Sequence, residues 1–554
     1  MQQDLEDSDF TLHSRCKQAF ECILDLNLSV PDLDRACSSN SLLVWKVLIM
    51  DDFAQDVVSP LLHLGDLRHH NVTLHLQLHA QRPPLHNVTA VYVMLPTPAN
   101  IKRLEEDCRG NLYDLFQLNF LEPLGEESME VLAKAVAADI NRLHRVYDHC
   151  LSFLVLEPKL FITMGPDFRH WNDRRTTDSE VEDFFSSTAH RLFTVLRTLK
   201  VLPIIRSGPG FSEGIAPRVA ELCAAAASEE THPSRPLLLI VDRSIDLTVM
   251  LHHPWTYQAL IYDLLEGALN KVVLKTGAAQ SKVYELNPYR DDFWAGNSTN
   301  SFETVLQAVD QHVKAWKAKY ESMGSNLTAA MDSMPEITEK KDQLDMHASI
   351  ATSLVDQVKR RKLDKFNSLE EGIMKNQFDS RLLQSLLEET EAKDRERALV
   401  IALMKQAITG PQALAFGLSS DLKRYLDSEL LPKDDSERQS SFSYLSNIAE
   451  KMKGRFQQLY DDGFMLGLTQ LLDRALSHKA SELGYYDPKH MNSKQVYKRQ
   501  FNEAIVFVVG GGSYAEYHNL MKYAEKTGKR IVYGATDMPH PEEFLEQIRA
   551  LASG

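Results

Sequence analysis

Three patterns of apolar and polar positions divide the chain. Over residues 1–150, short apolar runs alternate with amphipathic stretches. Val44-Trp-Lys-Val-Leu-Ile-Met50, Val72-Thr-Leu-His-Leu-Gln-Leu78 and Ala90-Val-Tyr-Val-Met-Leu95 read as strands. Helical spacing covers 55–69, 98–107 and 126–149. Apolar strands separated by helices predict a mainly parallel sheet covered on both faces. Residues 151–255 repeat the alternation. Strands are expected at Ser152–Leu156, Leu160–Thr163, Val201–Ile205 and Leu237–Val241, with a helix over Asp178–Leu199.

Residues 256–487 switch to helical spacing almost throughout. The 36 residues from Glu336 to Glu371 contain neither Pro nor Gly. A continuous helix of that length would span about 54 Å. Ile337, Leu344, Ala348, Ala351, Val355 and Val358 keep three/four spacing, and the other face is dense in charge. Proline fits the first turn of a helix but breaks an interior, because it lacks an N–H and clashes with the preceding turn. Ser325–Met334 reads as helix or loop, and Pro335 then as a hinge at the start of the rod. The tail, 488–554, returns to strands at Ile505–Val509 and Arg530–Tyr533 around a helix. Such a βαβ piece cannot bury both its faces alone, so its strands are expected in the sheet of 151–255. The fold class expected is α/β plus α. Two parallel-sheet α/β domains, 1–150 and 151–255 with 488–554, carry a largely helical domain, 256–487, inserted in the second.

At roughly 100–200 residues per domain, 554 residues suit about three or four such units. Apolar residues make up 44% and charged residues 25%, which excludes collagen-like, low-complexity and disulfide-scaffold classes. The formal charge is −16, against the basic surface that wholesale nucleic-acid binding needs. Six cysteines without a C-x-x-C pair fit a reducing compartment. The acidic N-terminus lacks a signal-peptide core, and no stretch approaches the ~20 apolar residues of a spanning helix. A cytoplasmic protein is expected.

Candidate chemistry is sparse. Gly510-Gly-Gly-Ser-Tyr-Ala515 follows an apolar strand and opens a helix, with Asp537 after the next strand. That layout fits a dinucleotide fingerprint, or a tight strand-to-helix turn packed on a neighbour. Asp242, Arg243 and Asp246 follow a buried-type strand. The carboxylates could hold Mg²⁺ or serve as acid and base, or the Arg could neutralise both as an ion-pair corner. Among the 20 histidines there is no H-E-x-x-H, and no phosphate loop is present. No catalytic set emerges, and no cofactor or metal is expected. Met129, Leu132 and Ala133 share one helical face, and Leu143 and Val146 another beyond a break near Ala138–Asp139. The two faces read as a shallow pocket or as ordinary core. Phe442, Leu445, Ile448, Met452 and Phe456 recur at three/four spacing among Lys451, Lys453 and Arg455. That pattern suits a membrane-surface helix or one docked by its apolar face.

Three blocks resemble signatures of the SM (Sec-one/Munc-eighteen) family. They are Pro236–Leu247 with Trp255–Leu265, Met334–His347 continuing to Leu369, and Ile505–Tyr517 with Ile531–Asp537. Val44-Trp-Lys-Val-Leu-Ile49, Ser59-Pro-Leu-Leu62 and Thr73-Leu-His-Leu76 look most like its Sly-one type. The resemblance implies a three-domain arch, no enzyme activity, and a role in ER–Golgi transport at peripheral membrane sites. It implies a syntaxin partner (a Qa-SNARE of the syntaxin-five class) and the other SNAREs of that complex. By position it places a syntaxin N-peptide pocket at Met129, Leu132, Ala133, Leu143 and Val146. It places a SNARE template at Leu327, Met331, Pro335, Leu344, His347, Ala348, Ile350 and Leu354, and a regulatory loop over 436–462.

Overall fold

The computed structural model describes residues 11–27, 45–86, 88–137, 140–226, 235–275, 281–323, 327–374, 377–430, 465–477, 479–480, 482–490 and 500–553. Strands β1 (Lys46–Met50), β2 (Val72–Gln77), β3 (Thr89–Met94), β4 (Leu115–Phe120) and β5 (Leu143–Asp148) form a parallel sheet in the order β2-β1-β3-β4-β5. One face carries Tyr92, Phe116, Leu118 and Phe120 under Ile101, Leu104 and Leu132 of the helices Pro98–Arg109 and Glu126–Val136. The opposite face, with Leu48, Met50, Val91 and Val93, belongs to a core shared with the next sheet. Burial on both sides explains why β1 and β3 read as continuous apolar runs.

Two expectations fail in this unit. The stretch 126–149 is not helical to its end: the helix stops at Val136, and β5 follows as an edge strand paired with β4. Nor is 55–69 one helix. It divides into Asp52–Val58 and Leu64–His69 on either side of Pro60, as proline's missing N–H requires.

The chain then supplies β6 (Leu154–Glu157), β7 (Leu160–Ile162), β8 (Ile204–Ser207) and β9 (Leu237–Asp242). The helix Asp178–Leu199 lies where its spacing predicts, closed at its start by a capping box between Thr177 and Glu180. Region 256–487 is less helical than expected. β10 (Glu266–Ala268), β11 (Lys271–Lys275) and β12 (Ser281–Glu285) form a three-stranded antiparallel sheet. Helices follow, including Phe302–Met323, Leu327–Arg361, Leu363–Met374 and Ala392–Met404, around a core of Ile350, Leu354, Phe366 and Leu403.

The rod is shifted and cut. Its helix begins at Leu327, runs 35 residues unbroken through Pro335, and ends at Arg361. Lys362 takes a left-handed φ of 55°, and a second helix starts at Leu363. Strands β13 (Gly484–Tyr486), β14 (Glu503–Val509) and β15 (Arg530–Ala535) complete a seven-stranded sheet in the order β13-β8-β9-β14-β15-β7-β6. The tail strands thus lie at the centre of a sheet begun some 350 residues earlier, with β14 paired to β9 and β15 to β7.

Candidate binding surfaces

The glycine turn after β14 is filled by the protein itself. Gly510 and Gly511 have φ of 92° and 115°, open to glycine and costly for other residues. A Cβ on Gly512 would sit 2.7 Å from Ala535 Cβ and 2.8 Å from the Tyr533 hydroxyl. The amides that a pyrophosphate would need are taken. Gly510 N–H donates to Thr536 Oγ1 (2.9 Å), Gly512 N–H to the Asp537 carbonyl (2.8 Å), and Ser513 N–H to the Tyr533 hydroxyl (3.1 Å). The turn is the structural alternative, not a nucleotide cradle.

The corner after β9 is also structural, but not as an internal ion-pair set. Arg243 forks onto Glu516 with two 2.7 Å bonds, both side chains 1% exposed. Asp242 accepts from the amides of Phe211 (2.6 Å) and Ser212 (2.8 Å) at the start of the helix Phe211–Ala226. Asp246 accepts from Thr248 and pairs with Lys405 (3.1 Å). Each carboxylate is spoken for by a different element, so no acid–base or metal pair is left. His253, buried, meets Glu370 (2.6 Å) and Asp394 (3.4 Å), and Arg361 forks onto Asp394. Among the described residues no group of His, Cys, Asp and Glu is arranged to hold a metal.

Of the five first-domain pocket residues, Leu132 and Leu143 share one apolar cluster, by a geometry other than two helical faces. Leu143 and Val146 lie on edge strand β5, where a spacing of three should put them on opposite faces. A bulge between the Phe116↔Leu143 and Gln117↔Arg145 pairs inserts His144 as an extra residue. Leu143 and Val146 therefore align with Phe116 and Leu118, on the face that the helix Glu126–Val136 covers. Leu132 is buried there, and Leu143 is half-buried against the same cluster. Met129 (54%) and Val146 (41%) stay exposed, as does Ala133. Leu132 and Leu143 thus meet between a helix and the edge strand β5, while Met129 and Val146 on the same two elements are exposed.

Template positions divide into two groups. His347, Ile350 and Leu354 have 0% exposure and face the helical core. His347 Nδ1 accepts from the Tyr257 hydroxyl (2.9 Å), and its Nε2 donates to Asp291 (2.8 Å). Leu344 and Ala348 are half-buried. Leu327, Met331 and Pro335 lie in the described helical backbone. Beside the rod opens a groove of about 800 Å³. Thr338, Glu339, Asp342, Gln343 and Met346 form one wall; His63 of the first domain and Lys282, Tyr284 and Arg290 of the β12 region form others. The sequence reading missed the β12 side. Lys271-Val-Val-Leu-Lys275 and Ser281-Lys-Val-Tyr-Glu285 flanking Gly277 carry a hairpin signal that could have shown it. Phe442, Leu445, Ile448, Met452 and Phe456 lie outside the described residues. No helix among the described residues is long and apolar enough to cross a membrane.

Comparison with known proteins covers the whole arrangement. The Sec1 family model matches residues 46–547. Sec1 family domain-containing protein 1 of Mus musculus is 31% identical, over 95% of this chain and 96% of its own. The sly1 homolog of Drosophila melanogaster is 30% identical over 98% of each. A crystal structure of Sly1p in complex with an N-terminal peptide of Sed5p superposes with a TM-score of 0.80 at 25% identity, over 99% of both chains. The SM protein Vps45 in complex with the Qa-SNARE Tlg2 shares the fold, with a TM-score of 0.79 at 19% identity over 98% of each chain.

Proposed function

The chain belongs to the Sec1 family, and we propose that it binds a Qa-SNARE of the syntaxin class and templates SNARE assembly in ER–Golgi transport. Proteins of this family regulate SNAREs and are not enzymes. The route is read from the Sly1-type relatives, which match along nearly the full length. A vacuolar or plasma-membrane route is the alternative, and the syntaxin that co-purifies decides between them.

One observation carries the binding assignment. The helix and edge strand that meet at Leu132 and Leu143 also expose Met129 and Val146, in a chain that matches, end to end, a protein solved with an N-terminal peptide of Sed5p. Its test is calorimetry with an N-terminal peptide of a syntaxin-five-class SNARE. Val146→Asp and Met129→Lys put a charge against the apolar peptide and should weaken binding at least about tenfold, with melting unchanged. Full affinity in both variants would remove the pocket. Leu132→Lys is the poorer probe, because Leu132 is itself core.

SNARE helices are largely disordered alone, so pairing them carries an ordering cost. A rigid surface that holds helices in register lowers that cost at the encounter. In this reading Leu327, Met331, Pro335, Leu344 and Ala348 meet the SNAREs, while His347, Ile350 and Leu354 anchor the rod to its domain. The peptide site raises the local concentration of the syntaxin. The segment 436–462 serves as a regulatory loop against a membrane. Phe442→Asp with Phe456→Asp should reduce flotation with liposomes, and undiminished flotation counts against it.

A further inference from the structure

A short loop touches both the first domain and the rod. Asn287–Asp291 is a tight turn: the Asn287 carbonyl accepts from the amides of Arg290 (3.1 Å) and Asp291 (3.0 Å). Asn287 Oδ1 also accepts from Tyr289 N–H (2.9 Å), which fixes the orientation of the Asn287 amide.

On one side this turn is held by the first domain. The Tyr289 ring stacks on His13 of the helix Leu12–Leu24, with centroids 3.8 Å apart and planes 22° apart. Asn287 Nδ2 donates to His63 Nε2 (3.1 Å). Arg290 lies 3.9 Å from Asp66, on the helix Leu64–His69. On the other side the turn grips the rod at two positions one helical turn apart. Gln343 Nε2 donates to the Arg290 carbonyl (3.0 Å), and His347 Nε2 donates to Asp291 (2.8 Å). Asp291 also caps the next helix through Trp294 N–H (2.9 Å). A movement of the first domain relative to the rod must therefore strain this turn or break its bonds.

We propose that the turn Asn287–Asp291 is a mechanical link through which the position of the first domain sets the position of the rod. The turn is too short and too internally bonded to absorb a displacement between its two sides. Its grip on the rod begins at Gln343, eight residues past Pro335 or about 12 Å along the axis. The link positions the stem and leaves the half around Leu327–Pro335 beyond the last clamp. The link itself stands on contacts within this chain. Its use in SNARE assembly rests on the reading above.

Hydrogen exchange on the full chain tests it without a partner. Tyr289→Ala removes the stack on His13, and Asn287→Ala removes the bond to His63 together with the turn's own bond from Tyr289 N–H; in both, amides of 338–350 in the rod should exchange about tenfold faster. Tyr289→Phe keeps the stack, and the Tyr289 hydroxyl has no hydrogen-bond partner among the described residues, so it should behave as the parent chain. Gln343→Ala should accelerate the same amides while leaving those of Leu12–Leu24 alone. Unchanged exchange over 338–350 in Tyr289→Ala and Asn287→Ala would overturn the link. So would acceleration spread equally over β9 and β14, which no local link predicts. Adding the Sed5p N-terminal peptide named above separates the two levels. If it binds, it should alter exchange over 338–350 in the parent chain and not in Tyr289→Ala, and equal response in both overturns the link. If it does not bind, the pocket reading fails, and the partner-free comparison still decides the link.

Discussion

Glu157 ends β6 at the place where the middle sheet meets the helical region. Burial pushes its carboxyl up from the ordinary 4.5 to about 7, against the bond it accepts from Gln258 Nε2. An acid whose folded pKa is raised holds its proton more tightly in the folded state. The stability it allows is fully present below 4.5 and declines as pH climbs through about 7. His253, whose carboxylate partners raise its pKa despite burial, acts in the same direction, because it loses its ion pairs as pH rises. Glu157→Gln keeps an acceptor for Gln258 and abolishes the titration. At pH 8 it should stabilise the chain by about 3 kcal/mol, with little effect at pH 4. Urea midpoints at the two pH values check this, and equal shifts at both would refute it. At this scale the sequence was a partial guide. Asp242, Arg243 and Asp246 stand so close along the chain that mutual neutralisation was the natural reading. The partner of Arg243 is Glu516, 273 positions away, and no local pattern could reveal it.

At the scale of elements, period decides what could be read. Asp178–Leu199 and the buried parallel strands carry unmixed signals, and they fold where those signals put them. β4 was missed because Gln117 and Asn119 interrupt its apolar run, each buried with 0% exposure. Asn119 instead donates to the Tyr92 carbonyl (3.1 Å), a use that only the neighbouring strand explains. β5 was misread because a bulge converts a spacing of three into a shared sheet face, imitating a helix. Leu132 and Leu143 therefore share a cluster by a geometry that the spacing did not predict. Pro335 is the opposite case. The residue was singled out, but the helix continues through it. The ring removes the amide bond to the Met331 carbonyl, which weakens the helix at that turn. Pro335→Ala should restore that bond, slow exchange of amides 332–340 and speed SNARE assembly. Slower exchange with unchanged assembly would keep the helix argument and sink the template argument.

Across the whole molecule the deciding fact is the order of strands in the middle sheet. β14 and β15 separate β9 from β7. Their apolar runs showed that they must join an earlier sheet, because a lone βαβ piece leaves a face bare. The run of the chain alone does not say that they take its centre, since strand order follows from which edges remain open. A chain ended after residue 500 would lose these strands entirely. The expected result is not a trimmed protein but one whose middle sheet falls into two pieces, β13-β8-β9 and β7-β6. Loss of the cooperative thermal transition and rapid proteolysis over 151–255 would show it. A truncated chain that melts as sharply as the parent would contradict it.

The same strand order imposes a timetable on the ribosome. The bare flank of β9 emerges about 260 residues before β14 covers it, and that of β7 about 370 residues before β15 does. At about 5–20 residues per second, those flanks stay uncovered for tens of seconds, a window in which nascent-chain chaperones rather than native contacts must shield them.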